Sequence, residues 1–231
     1  ESKKHMTKKM YHLYYRENRE ASQSKEEYEA NLLRAYRHLD ACRFKNKGWP
    51  CPTCPSCCFC GKDYETMTEV MDFAREWMKE NPDKARWMLK TGWKAQNLKF
   101  RFKPDKRLMK ADQYLARLMM DTMIRPLEKP QESAIVSIFT PCELLQEAGI
   151  HPYNVEGFSC YLSASKAERV FLQQAENTGI SETLCSYHKT FIGAAQKKVL
   201  PKPKCIVYTN LTCDANLLTF KKLAKMYDVP V

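Results

Sequence analysis

The sequence is poor in glycine and lacks any long apolar run. It has 7 glycines in 231 residues, and neither GxGxxG nor GxxxxGK[ST] occurs, which argues against a glycine-rich nucleotide loop. HExxH is absent, and no Ser, His and Asp follow one another in an order typical of hydrolases. No apolar segment approaches the length that spans a bilayer. The opening stretch, ESKKHMTKKMYHLYYRENRE, lacks the apolar region of a secretory signal. We therefore expect a cytoplasmic protein with no membrane partner.

Cysteine, in contrast, is abundant. The chain has 11 cysteines, and this odd, clustered set is more typical of metal binding or thiol chemistry in a reducing compartment than of disulfides. The formal net charge of +11 indicates an anionic partner or a solvated basic face, and we prefer the second interpretation for the N-terminal Lys and Arg residues. A hydrophobic content of 44% provides a core of normal size.

Residues 1–130 have the pattern of a helical region. In the segment 24–44, apolar residues recur at helical spacing, with Ser24 as a predicted N-cap and Glu27 completing a capping box. A second helix is predicted to end at Asn81-Pro82 and a third near Pro126. The Met and Trp stripes on these helices are typical of core packing.

Residues 131–231 alternate between strand-like and helical segments. SAIVSIF, HPYNVEGF and KCIVYTNL have the β-branched, apolar character of strands, and helices are predicted between and after them. The first of these helices is predicted to have Thr140 as N-cap, Glu143 as its capping-box partner and Gly149 at its end. We therefore expect an α/β fold in which the helical region precedes a Rossmann-like parallel-sheet domain, the first of two in the full-length protein.

The most concentrated feature is the stretch CPTCPSCCFC, which has five cysteines in ten positions. Cys51, Cys54, Cys57 and Cys60 have the regular spacing CxxCxxCxxC, which is suited to one Zn²⁺ or to an iron–sulfur cluster. The alternative is an unliganded loop that oxidises readily. Aromatic residues are not interleaved with Lys and Arg beside this run, which argues against a nucleic-acid partner.

Three other segments occur together in a specific order. FTPCELLQEAGIHPYNVEG is followed by ETLCSYHKTFIGAA and then by YTNLTCDANLLTFKKLAKMYDVPV. In this order and spacing, residues 133–231 resemble subunits of the 2-hydroxyacyl-CoA dehydratase and benzoyl-CoA reductase family, also described as the 2-hydroxyglutaryl-CoA dehydratase D-component family. That family has a TPxEL helix after a strand, a helix that begins Cys-Ser-Tyr, and a strand followed by Cys-Asp.

The resemblance implies roles for specific residues. Subunits of the family bind a [4Fe–4S] cluster through three cysteines, and Cys185 and Cys213 match the first two. The residues by themselves favour a soft-metal site only if both thiols meet at the carboxyl ends of neighbouring strands, and they leave open that both are ordinary buried cysteines. Glu143 has two interpretations, as a polar group of the active site or as a helix cap.

The resemblance also implies the reaction and its partners. An ATP-dependent iron–sulfur activator delivers one low-potential electron, and the cluster passes it to an acyl-CoA thioester to form a ketyl radical. In the dehydratases, which are lyases, the substrate then loses water. In the reductases, the aromatic ring of the substrate is reduced. Both kinds of enzyme are anaerobic. A sister subunit is expected, in a heterodimer or a homodimer. Alternatives are a double-cubane-cluster reductase of small molecules and a non-catalytic metal-binding or electron-transfer scaffold.

The final residues, YDVPV, resemble the start of another strand. We therefore expect the native polypeptide to be longer or to be completed by another chain, and the third cluster ligand to come from that part. Residues 1–231 alone are accordingly not expected to hold a stable active-site cluster.

Overall fold

The computed structural model describes residues 2–18, 24–42, 62–102, 108–164, 167–211 and 213–231. Two compact units divide the chain, residues 1–77 and residues 78–231. The cysteine run at 51–60, with the candidate ligands Cys51, Cys54, Cys57 and Cys60, lies outside the described residues. The helices and strands are α1 (Ser2–Glu17), α2 (Lys25–Ala41), α3 (Lys62–Glu80), α4 (Pro82–Phe102), α5 (Lys110–Glu128), β1 (Ser133–Val136), α6 (Cys142–Glu147), β2 (His151–Asn154), α7 (Val155–Ala164), α8 (Glu168–Glu176), α9 (Ser186–Gln196), β3 (Cys205–Val207) and α10 (Ala215–Tyr227).

The first unit is helical, as predicted. Ser24 is the N-cap of α2, and its side chain accepts a hydrogen bond from the Glu27 backbone N–H at 3.1 Å. This bond satisfies one of the free N–H groups at the helix start. The core of the unit is formed by Tyr11, Ala35, Leu39, Met67 and Val70.

In the second unit, α4 and α5 pack against each other, and α5 also packs against β2. The buried side of α5 consists of Met120, Met123, Ile124 and Pro126, so the predicted methionine stripe is part of the core. The helix continues past Pro126 to Glu128, two residues further than expected. Helix α3 ends at Glu80, and α4 begins at Pro82, as the Asn-Pro pair predicts.

The sheet has three parallel strands in the order β2-β1-β3, which confirms the α/β expectation. All four residues of β1 are buried, as is typical of a central parallel strand covered on both faces. Beyond β3, the Ile206 N–H donates to the Pro230 carbonyl at 2.9 Å. The residues after α10 therefore run beside the outer edge of β3.

Two of the predicted segments are assigned differently in the structure. HPYNVEGF is a strand only as far as Asn154, because the Asn154 side-chain oxygen accepts from the Glu156 and Gly157 N–H groups at 3.0 and 3.1 Å. That cap starts α7, a helix that the sequence did not predict. Thr140 does not cap α6, which begins at Cys142 after Pro141 and has no side-chain cap. The Thr140 hydroxyl instead donates to the Val207 carbonyl.

Candidate functional site

The strand order creates a crevice at the carboxyl edge of the sheet. From the central strand β1, the chain passes to β2 on one side, and it later returns to β3 on the other. The segments that leave β1 and β3 therefore diverge, and ligands of parallel α/β sheets bind at such a switch point. The candidate residues Glu143 and Cys213 both lie on segments that follow these two strands.

A hydroxyl network joins the segments that leave β1 and β3. The Ser137 Oγ atom accepts from the Thr209 N–H at 3.0 Å and lies 3.0 Å from Thr140 Oγ1. Thr140 donates in turn to the Val207 carbonyl at 3.2 Å. Ser137 and Thr140 are buried, so these bonds form away from solvent and fix the distance between the two loops. The TPxEL motif thus uses its threonine to bridge two strands.

Cys213 lies in the loop between β3 and α10, so it does not directly follow the strand as the Cys-Asp pattern of the family predicts. Its carbonyl accepts the Asn216 N–H at 3.1 Å, within the turn that starts α10. Asn216 is 2% exposed and donates through Nδ2 to the Thr209 carbonyl at 2.7 Å. Asn216 therefore ties the start of α10 to the end of β3, and the loop that contains Cys213 is held at both ends.

Cys185 is the N-cap of α9 and is exposed. Its carbonyl accepts the first backbone hydrogen bond of the helix, from Lys189 N–H at 3.1 Å. The predicted helix start is confirmed. However, Cys185 follows α8 and a loop, so it does not lie at a strand-to-helix junction. The N-terminal end of a helix is the positive end of its dipole.

His188 is the α9 residue that contacts Cys213. It lies in the first turn of α9, after the cap at Cys185, and its Nε2 atom is 3.8 Å from Cys213 Sγ. Cys185 caps the turn of α9 that contains His188, and Cys213 contacts His188 from the loop after β3. His188 is 3% exposed, and burial lowers the pKa of its imidazole.

The tautomer of His188 follows from its second contact. The Thr219 hydroxyl donates its hydrogen to the Ala215 carbonyl at 2.8 Å, so its oxygen accepts from His188 Nδ1, which is also 2.8 Å away. In the neutral ring this leaves Nε2 with a lone pair directed at Cys213. The imidazole therefore accepts the hydrogen of the thiol. This role of His188 depends on contacts with α10 and was not predicted from the sequence.

Tyr187, two residues after Cys185, and its partner Cys160 were not predicted to belong to the site. The Tyr187 hydroxyl is hydrogen-bonded to the exposed thiol of Cys160, and this bond, together with the nearby Cys185, raises the pKa of the Tyr187 phenol. The Tyr187 carbonyl also accepts a hydrogen bond from Ser159 Oγ at 2.9 Å. These contacts join α7 to the start of α9, and α7 is the helix that the sequence pattern did not reveal.

The structure distinguishes two carboxyl groups near this edge. Glu143, in the first turn of α6, is exposed. Glu156, in the first turn of α7, is half-buried, and its carboxylate accepts a hydrogen bond from the Ile138 backbone N–H. Burial raises the pKa of Glu156 in spite of this bond. Glu156 is therefore a second candidate for a protonatable group of the site.

Residues 137–231 match the model of a family described as 2-hydroxyglutaryl-CoA dehydratase, D-component. The matched range includes Glu143, Cys185 and Cys213 and confirms the resemblance for this part of the chain. The family consists of dehydratase components, so an enzyme-related role is indicated. No curated protein and no solved structure matches the chain.

The donor set agrees in part with the cluster that this family implies. Cys185 caps the turn of α9 in which His188 contacts Cys213, and thiolates are the ligands that iron–sulfur clusters prefer. Within the described ranges, no three or more His, Cys, Asp or Glu side chains are grouped so that they could hold a metal ion. In the same part of the chain, no helix is long and apolar enough to cross a membrane. Cys185 and Cys213 would supply two of the thiolates that such an iron–sulfur cluster needs.

Proposed function

We propose that this protein is the iron–sulfur subunit of a 2-hydroxyacyl-CoA dehydratase or benzoyl-CoA reductase-type enzyme, with Cys185 and Cys213 as thiolate ligands of a [4Fe–4S] cluster. One observation carries the assignment of ligands: Cys213 Sγ lies 3.8 Å from His188, in the turn of α9 that Cys185 caps. The family match of residues 137–231 supports the class of enzyme.

Each cysteine has a neighbour that influences its charge or its orientation. At the N-terminus of α9, the helix dipole favours the negative charge on Cys185. The Nε2 lone pair of His188 orients the thiol of Cys213, and Thr219 holds the imidazole from the opposite side. When bound, the cluster supplies a one-electron transfer to the thioester substrate. The remaining cluster ligand comes from outside the described residues, either in this chain or in a sister subunit.

The surroundings of the crevice support an acyl-CoA substrate. The segments after β1 and β3, with the first turns of α6 and α10, present exposed apolar side chains that suit an acyl chain, namely Ile138, Phe139, Leu144, Leu211, Leu217 and Leu218. The net charge of +11 suits the phosphates of coenzyme A. Glu143 and Glu156 are the carboxyl groups that we place at the substrate. The partners are the sister subunit and an ATP-dependent iron–sulfur activator, in the cytoplasm.

The proposal is tested by iron and acid-labile sulfide analysis of the protein purified anaerobically from its native cells, with the subunits that accompany it. Cys51, Cys54, Cys57 and Cys60 are replaced by Ser in all samples, because we propose a second cluster or a zinc ion for that run. Against this background, C185S and C213S should each lose iron and sulfide. Cys205 lies in β3, at the amino end of the pairing with β1, and C205S should retain both.

Two results would contradict the proposal. Iron and sulfide unchanged in C185S and C213S would remove both residues from the ligand set. Zinc in place of iron, with no labile sulfide, would favour the non-catalytic scaffold. If iron and sulfide are lost as expected, product analysis with 2-hydroxyacyl-CoA and with aromatic acyl-CoA substrates then separates the dehydratase from the reductase and from a small-molecule reductase.

A further inference from the structure

Lys189 is a buried cation whose ammonium group has two partners in the segment that leads to Cys185. The residue is 7% exposed, and its Nζ atom lies 2.6 Å from Glu176 Oε1 and 2.7 Å from the Glu182 carbonyl oxygen. We propose that Lys189 is a positioning residue, which fixes the place of Cys185 by clamping the loop before it to α8 and α9. This inference rests on the proposed function, in which Cys185 is a cluster ligand.

Lys189 also contacts the cap residue of α9 through its backbone. Its backbone N–H donates to the Cys185 carbonyl at 3.1 Å, so the same residue holds Cys185 through its main chain and the preceding loop through its side chain. Glu182 is three residues before Cys185, and Glu176 is the last residue of α8. The ammonium group therefore holds Glu176 and Glu182, at the start and near the end of the segment 176–185, to one point.

The backbone hydrogen bonds within this loop are local. The Ile180 N–H donates to the Ala175 carbonyl at 3.2 Å, and the Leu184 N–H donates to the Ser181 carbonyl at 3.1 Å. These bonds shape the loop but leave its position relative to α9 to other contacts. The Lys189 ammonium provides such a contact close to Cys185.

The cost of burying a charge supports a specific role. A buried ion pair is often no more stabilising than apolar residues of similar size, since both ions lose their hydration. Lys189 is nevertheless buried, on a helix that also buries the apolar residues Phe191 and Ile192. An ammonium with three donors directs its partners to defined positions, which an apolar side chain would not do. A thiol that binds a metal must be kept in a defined position, and directional hydrogen bonds to the preceding loop provide this.

The experiment compares K189M, E176Q and Q196A with the parent protein. K189M keeps the length of the side chain but removes both bonds, and E176Q removes only the charge of one partner. Q196A is the matched control. Gln196 donates through Nε2 to Thr178 Oγ1 at 2.6 Å, so it links the opposite end of α9 to the same loop. Each variant is assayed metal-free for amide hydrogen exchange and for iodoacetamide alkylation of individual cysteines.

In K189M we expect amide exchange in residues 178–186 to accelerate about tenfold or more, because the charged hydrogen bonds that close the segment are lost. The alkylation rate of Cys185 should rise severalfold, while that of Cys160 stays unchanged. E176Q should show the same changes at smaller size, since an amide oxygen still accepts from the ammonium. Q196A should leave both readouts at Cys185 unchanged. A general loss of stability would instead accelerate exchange throughout residues 78–231.

Unchanged exchange at 178–186 and unchanged alkylation of Cys185 in a folded K189M would overturn the proposal. If K189M does not fold, E176Q tests the proposal instead. Unchanged amide exchange at 178–186 and unchanged alkylation of Cys185 in E176Q would then overturn it. Iron content separates this inference from the proposed function. Altered alkylation in K189M, with iron unaffected in C185S, refutes the cluster ligand but keeps the positioning role. Iron lost in C185S, with no change in K189M, refutes the positioning role alone.

Discussion

The His188 ring and the Thr219 hydroxyl are joined across α9 and α10 by a hydrogen bond of 2.8 Å, and both residues are at most 3% exposed. Thr219 accepts this bond because its own hydrogen is donated to the Ala215 carbonyl. The contact places the imidazole so that its other nitrogen faces Cys213. A single buried threonine on α10 thereby determines which histidine nitrogen is available to the cysteine.

We expect T219V to lower the free energy of unfolding by about 1–3 kcal/mol, because His188 Nδ1 loses its acceptor in a buried site. Thr190 provides a matched control. It is buried and also donates to the carbonyl four residues earlier, that of Ser186, without the bond to a histidine. T190V should cost less than about 1 kcal/mol. Urea unfolding of the metal-free variants measures both values, and equal losses would contradict the role of Thr219.

Gly193 is expected to be intolerant of any side chain. A Cβ atom at this position would lie 2.0 Å from the Phe171 carbonyl oxygen, because α8 and α9 approach each other closely there. We expect G193A to destabilise the protein by about 1–3 kcal/mol through displacement of one helix. At Gly92 in α4, a Cβ atom would meet nothing within 4 Å apart from the helix's own nearby backbone, so G92A should stabilise by about 0.5–1 kcal/mol. A G193A protein as stable as the parent would show that α8 and α9 do not pack this closely.

Ser137 should be required for the geometry of the loop after β3. S137A removes the acceptor of the Thr209 N–H, and we expect a loss of about 1–3 kcal/mol because that group remains partly buried. Amide exchange at Thr209 should accelerate in parallel. The exposed Ser181 Oγ accepts the Thr183 N–H in the same manner, and S181A should cost little because water replaces the serine. Protection of Thr209 that persists in S137A would show that another group holds this loop.

The half-buried Glu156 predicts a specific pH dependence of stability. Burial raises its folded-state pKa above the ordinary value of 4.5. The folded state therefore binds the proton more tightly than the unfolded state does, and protonation of Glu156 stabilises the folded state. This stabilisation is complete below about pH 4.5 and is lost as pH rises through the folded-state pKa. Glutamine stays neutral, so E156Q should gain stability relative to the parent between about pH 4 and 7. Urea unfolding across this range measures the difference, and a constant difference would contradict the prediction.

The local elements were predictable because each depends on short-range chemistry. Three predicted helix boundaries are confirmed, since capping and steric exclusion act within a few residues. They lie at Ser24, at the Asn-Pro pair 81–82 and at Cys185. The parallel sheet is confirmed for the same kind of reason, because short β-branched runs separated by helices permit few other arrangements. The helix at 155–164 was missed because the Asn154 cap stands next to a strand of only four residues.

What the sequence by itself determined is the order of elements, the family resemblance of the C-terminal segment and the identity of its candidate residues. The tertiary structure decided how those residues are related in space. His188 meets Cys213 only because β3 lies beside β1 and brings α10 against α9. Thr140, which its local pattern predicts to be a cap, bridges two strands because Val207 lies opposite it. Lys189 is buried next to Glu176 because α8 packs against α9. These contacts join residues far apart in the chain, and no short-range preference encodes them.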